Sequence, residues 1–230
     1  MTDASMTDPS STDRAPLSMP RSLFVLTLLY GGMTVLAGVL AFKQVQLWPT
    51  QLAVEAGIFA FLFLVVISST IAQLYGEGLA RRVVWWGFLP LGISAVLIGL
   101  VLVLPAAPDM VEFRGEDLAA FERVLSQTPR IMLAGPCAYL VSLLLNVWIF
   151  ERLRGGSEGS GIALAVRGAV ASALSQAIDS VIFVTLAFYG EFDITNLLIG
   201  QVIAKVALSF VLVPFLIVGG VKLARMIDAR

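Results

Sequence analysis

Long apolar runs alternate with short polar connections along the chain, at roughly 22–42, 52–75, 83–105, 129–150, 162–189 and 194–221. Each is long enough to cross a hydrocarbon layer of ~30 Å as a helix, which takes about 20 residues. A strand or loop of the same composition would leave backbone N–H and C=O groups unsatisfied in lipid. The pattern therefore predicts an all-α membrane protein, a six-transmembrane-helix bundle.

The segments between and around these runs complete the plan. Residues 1–20 are rich in Ser, Thr, Asp and Pro without a periodic apolar face, and are expected to form a disordered tail. The membrane domain is expected over 21–222, with 223–230 as a short C-terminus. The first run is too long for the ~7–15-residue core of a cleaved export signal and reads as a retained span. The stretch 106–128, with five acids and two arginines, reads as the one longer loop. Gly155–Gly161 has the look of a phosphate loop but lacks the Gly-Lys-Ser/Thr ending and a preceding strand, so it reads as a flexible linker.

Basic residues set the orientation. If six spans alternate, Arg14, Arg21, Arg81, Arg82, Arg152, Arg154, Lys222, Arg225 and Arg230 share one side, and Lys43, Arg114, Arg123 and Arg130 the other. Both termini are expected in the cytoplasm, in a cell inner membrane. Trp48, Trp85, Trp86 and Tyr189 fall near the ends of runs and read as interfacial aromatics.

Composition narrows the chemistry. Of 230 residues, 58% are apolar and 13% charged, and the formal charge is −1. That excludes an ordinary soluble domain and offers no basic field for nucleic acid. With no histidine and a single cysteine, disulfide frameworks, the usual zinc ligand sets and histidine-based catalysis drop out together. No cofactor or metal is expected, and no enzymatic activity.

The polar residues inside the apolar runs carry the functional signal, because a charge at mid-bilayer is costly and usually lines a cavity or pairs. Asp179 and Lys205 each lie ten residues from the connection between the last two spans, taken at Tyr189 and Thr195. Equal depth allows them to meet across antiparallel helices. Ser172, Ser175, Gln176 and Asp179 share one helical face; Gln201, Lys205 and Ser209 share another. Weaker polar stripes pair Ser69 with Gln73 and Ser142 with Asn146. Arg167, near an expected helix end, reads as an interfacial residue that snorkels.

The run Leu174–Phe183, continuing through Ala187-Phe188-Tyr189-Gly190, resembles the fifth-span signature of the queuosine precursor transporter family, also called the vitamin uptake transporter family. Tyr75-Gly76 with Ala80-Arg81-Arg82, Asn146–Phe150 with Arg152-Leu153, and Gln201–Lys205 with Pro214 agree in order and spacing. The resemblance covers roughly 55–220. It departs in the second span, where this chain has Leu62, Ser69 and Gln73 in place of the family's early proline and aspartate.

The resemblance implies an importer of 7-deazaguanine precursors of queuosine (preQ0 or preQ1 type), used to modify tRNA. A carboxylate can accept the adjacent N–H and NH₂ of a guanine-like edge. Asp179 is the candidate, with Gln176 or Gln201 as amide partners and Phe183 or Trp148 to stack on the bicycle. Lys205, Asn146, Ser69 and Gln73 complete the expected substrate-binding set. The alternative is a substrate-capture membrane subunit of an ATP-driven vitamin or nucleobase importer; an intramembrane enzyme or structural bundle is a third reading. Expected partners are a small-molecule substrate and the bilayer, with a homo-oligomer left open.

Overall fold

The computed structural model describes residues 19–154 and 161–229, apart from several side chains within 143–169. The described elements are α1 (Arg21–Leu40), β1 (Gln44–Gln46), β2 (Ala53–Glu55), α2 (Gly57–Tyr75), α3 (Glu77–Val103), α4 (Pro108–Arg154), α5 (Gly161–Phe188), α6 (Thr195–Val211) and α7 (Val213–Asp228). By length and apolarity α1, α2, α3 and the Val170–Phe188 part of α5 are each able to cross a membrane. α6 and α7, bent by 52° at their break, pass the same test only when taken together, which makes up to five. Large apolar side chains such as Phe24, Leu28, Phe63, Val96, Leu100 and Phe215 are exposed along these helices. In water that surface would be unfavourable; in a bilayer it is the lipid face. The chain is an all-α, multi-pass membrane protein.

Internal packing is local to helix pairs. Leu23 and Tyr30 of α1 pack with Ile67 and Ile71 of α2 and with Ala80, Val83 and Val84 of α3. A second cluster joins Ala41 to Ile131 and Ala134 of α4, Val184, Ala187 and Phe188 of α5, and Leu197 of α6. Gly76, at φ 90°, takes the backbone conformation that ends α2 and lets α3 begin at once.

Four expectations from the sequence need correction. The stretch 106–128 is not a loop: α4 starts at Pro108, with Asp109 in its first turn and non-helical backbone only at Arg114. Its acids sit among Leu, Ala and Arg, which are good helix formers, and a leading proline suits a first turn. The second run does not begin as helix. Residues 53–55 form β2, antiparallel to β1 in the register Gln44 with Glu55, Val45 with Val54 and Gln46 with Ala53. That hairpin satisfies its own backbone and leaves α2 to start at Gly57.

The sixth run is two helices rather than one. Pro214 has no N–H to give the carbonyl four residues earlier, and the chain breaks at Leu212 between α6 and α7. At the C-terminus, α7 continues to Asp228, beyond the expected end at 222. Most of the tail at 1–20 and the linker residues 155–160 lie outside the described residues.

Candidate functional site

A cavity of about 170 Å³ opens between the hairpin and helices α1 to α6. Its wall is mostly apolar, with Phe61 from α2, Phe88 from α3, Met132 from α4 and Phe183 from α5. Polar groups come from Tyr30 and Thr34 of α1, Ser68 of α2 and Tyr139 of α4. Three charged side chains complete it: Glu55, Asp179 and Lys205.

Asp179 and Lys205 meet as their matched depths predict. Lys205 Nζ donates to Asp179 Oδ2 at 2.6 Å, and both residues are buried. The ammonium also lies 4.6 Å from the centre of the Phe61 ring and 5.5 Å from that of Phe183. Two aromatic faces and one carboxylate therefore surround a cation that water does not reach, the arrangement in which cation–π attraction is strongest. Phe183 is held in turn by an edge contact with Phe188, 6.1 Å between ring centres.

Two of the three glutamines of the expected set, Gln176 and Gln201, join elements. Gln176 Oε1 accepts from Ser209 Oγ at 2.8 Å, tying α5 to α6. Gln201, fully buried, donates from Nε2 to Glu55 Oε1 at 2.7 Å and accepts the Glu55 backbone N–H at 3.4 Å. Gln201 thus bolts the hairpin onto α6. The fit is tight there, since a Cβ on Gly200 would collide with the carbonyl of Ala53.

Ser69, Gln73 and Trp148 are not on the cavity wall. Ser69 is half-buried and Gln73 exposed, while the neighbouring Ser68 faces the cavity instead. Asn146 lies on α4 and the side chains of Asn146 and Arg167 lie outside the described residues. Trp148 is 61% exposed and is not a stacking partner for anything in the cavity.

Sequence reasoning missed Glu55. It lies at the start of the second apolar run and is the only acid between Gln51 and Tyr75, which was the available signal. It is 3% exposed, yet it belongs to a strand rather than to a polar helical stripe. Tyr30, Phe61 and Tyr139 line the wall without any sequence feature that distinguishes them from other buried aromatics.

A multi-helix membrane protein with a buried ion pair on the wall of a mostly apolar cavity between its helices is built to hold a small solute within the membrane, as transporters do. The chain belongs to the vitamin uptake transporter family: the family described as "Putative vitamin uptake transporter" matches residues 55–219. A protein from Bacillus subtilis (strain 168) named "Probable queuosine precursor transporter" is 26% identical over 189 residues, covering 80% of this chain and 79% of its own length. No solved structure matches the chain.

Proposed function

We propose that this protein imports 7-deazaguanine precursors of queuosine across the inner membrane, and that Asp179 reads the guanine-like edge of the substrate. The observation that carries this is the buried Asp179–Lys205 pair in a cavity walled by Phe61 and Phe183. A carboxylate can accept two adjacent N–H donors, and aromatic faces suit a flat bicycle. Lys205 keeps Asp179 matched while the cavity is empty and is free to turn to the substrate carbonyl once the edge is bound. The name of the Bacillus relative points to the same substrate class.

In this reading the apolar part of α4, residues 129–150, also crosses the membrane, as the fourth of six spans in chain order, and both termini are cytoplasmic. Support for the orientation comes from the basic residues and from one end of the bundle. Ser22 at the start of α1, Tyr75 at the end of α2 and Asp228 at the end of α7 meet there, alongside Arg21, Arg81, Arg82 and Arg225 in sequence. The hairpin would then lie on the outer side.

The test is complementation. The chain is expressed in a bacterium lacking its own precursor importer and precursor synthesis, each 7-deazaguanine is supplied, and queuosine is assayed in tRNA. Restored queuosine from one precursor is expected. No restoration from any precursor, with the protein present in the membrane, overturns the substrate assignment.

A further inference from the structure

Charge in the cavity does not balance. Among the described residues its wall carries two carboxylates, Glu55 and Asp179, against one ammonium, Lys205. Asp179 takes that ammonium at 2.6 Å. Glu55 is left with one side-chain donor, Gln201, on its Oε1, while its Oε2 faces the backbone N–H groups of Gly57 and Ile58 at the start of α2 without a well-formed hydrogen bond. A buried carboxylate oxygen without a donor or countercharge is strongly unfavourable, and a protein that keeps one normally uses it.

Beyond those backbone groups and the more distant Lys205 ammonium, no side chain around Glu55 supplies a countercharge. On β1 its paired residue is Gln44, and the adjacent Lys43 is exposed. From α1 and α4 the titratable cavity residues are the phenols Tyr30 and Tyr139; from α5 and α6 they are Asp179 and Lys205, already joined. α2 and α3 present aliphatic side chains, Phe61, Phe88 and Ser68. Gly57, also on the wall, has no side chain to cover the free oxygen; a Cβ there would come within 2.6 Å of it. Metal cations of the hard type want several oxygen ligands, and no cluster of three or more metal-ligating side chains exists among the described residues. One carboxylate oxygen with only backbone N–H groups beside it, and the single ammonium already held by Asp179, matches a proton rather than a metal ion.

We propose that Glu55 is the proton-carrying residue of this transporter, taking a proton from solution on the hairpin side and releasing it on the opposite side in each cycle. The proposal rests on the transport reading above. In the step, the carboxylate Oε2 takes H⁺ from bulk water to become a neutral carboxylic acid, and returns H⁺ to bulk water after the cavity reopens. Nothing else is consumed. α6 provides the link to substrate: Gln201, bonded to Glu55, and Lys205, bonded to Asp179, stand one turn apart on one face of that helix. When a substrate takes over Asp179 and draws Lys205 to its own carbonyl, the ammonium no longer favours ionised Glu55, so a proton on Glu55 accompanies substrate binding.

The experiment uses the full chain reconstituted in liposomes with labelled 7-deazaguanine precursors. Counterflow without a gradient reads substrate exchange; accumulation under an acid-outside gradient reads coupling. Wild type is expected to show both, and substrate addition is expected to make the outer medium more alkaline. Glu55→Gln is expected to lose accumulation down to the exchange level, and Glu55→Asp to recover part of it. Accumulation that follows a sodium gradient, or that persists in Glu55→Gln, overturns the proposal. So does a folded Glu55→Gln that also loses counterflow, which would make Glu55 a substrate contact. If Glu55→Gln does not fold, the wild-type pH change decides: substrate entry without alkalinisation overturns the assignment. Absence of wild-type counterflow fails the transport reading itself, a distinct result.

Discussion

Ser22 and Asp228 stand 206 positions apart and close one end of the bundle: the Ser22 backbone N–H and hydroxyl each donate to the Asp228 carboxylate, both at 2.8 Å. The Tyr75 hydroxyl joins them, 2.9 Å from Asp228 Oδ2 and in contact with the Ser22 hydroxyl. The first turn of α1, the last residue of α2 and the last turn of α7 thereby share one carboxylate. Because the Ser22 N–H is an orphan donor of a helix start, Asp228 also satisfies α1 where a capping side chain would. Asp228→Ala is expected to lower the melting temperature of the purified protein and to increase protease access near the end of α7. Asp228→Asn, which keeps one acceptor oxygen, is expected to fall between.

The Asp179–Lys205 pair separates stability from transport. Removing one partner leaves the other charged and buried, which in comparable sites costs about 3–5 kcal/mol, whereas an apolar pair of similar volume is often neutral or stabilising. Lys205→Met alone is therefore expected to destabilise, and Asp179→Leu with Lys205→Met to restore stability while uptake stays lost. Unfolding titrations in denaturing detergent, run beside uptake assays, measure both. Uptake retained by the double variant would remove the pair from the substrate site.

Gly200 sets how closely β2 approaches α6. A Cβ there meets the Ala53 carbonyl, and backbone atoms have little room to yield. Gly200→Ala is expected to cost about 1–3 kcal/mol, the usual range for overpacking. It should also part Gln201 from Glu55, so the loss of stability is expected to come with loss of pH-driven accumulation.

Much of this arrangement was legible beforehand, for a physical reason. Helical geometry fixes depth from residue count alone, so Asp179 and Lys205 could be matched across the Tyr189–Thr195 connection without any structure. Depth does not fix rotation, and Ser69 and Gln73 point away from the cavity although their spacing matches a single face. The contact between Glu55 and Gln201 spans 146 positions and involves a two-stranded hairpin. No periodicity reports such a pairing. The helix over 108–128 was hidden by its charge, because acidic residues mark solvent exposure without excluding helix. Pro214 was visible as a residue, but the 52° change in direction depends on how α7 packs against α2.

Asp193 organises the start of α6, and its effect depends on pH. Its Oδ1 accepts from the Thr195 hydroxyl at 2.7 Å and from the Thr195 backbone N–H at 3.0 Å. These bonds favour the ionised form and hold the carboxyl below its ordinary range, the hydroxyl contributing most. The folded value lies below the unfolded one, so this stabilisation is present above the usual aspartate range and is lost as pH falls through the folded value. Protection of the amides at 195–198, measured against their intrinsic exchange rate at each pH, is expected to fall on acidification in wild type. In Asp193→Asn the same amides are expected to exchange faster at neutral pH and to respond little to acid.

Arg130 closes the opposite end of α5 through a geometry that only a guanidinium provides. Its Nε donates to the Leu186 carbonyl at 2.7 Å and one terminal nitrogen to the Tyr189 carbonyl at 2.8 Å. The other terminal nitrogen pairs with Glu191 at 3.2 Å. The carbonyls are groups that a helix end leaves without partners, and the cation also suits the negative end of the helix dipole. The ion pair itself is solvent-exposed and contributes little, so the two carbonyl bonds account for most of the effect. Arg130→Lys preserves the charge but cannot span three acceptors. It is therefore expected to destabilise the protein nearly as much as Arg130→Ala, whereas Glu191→Gln has a small effect. Thermal melting of the three variants checks the order, and a small loss in Arg130→Lys beside a large one in Glu191→Gln would show that the charge, rather than the fork, matters.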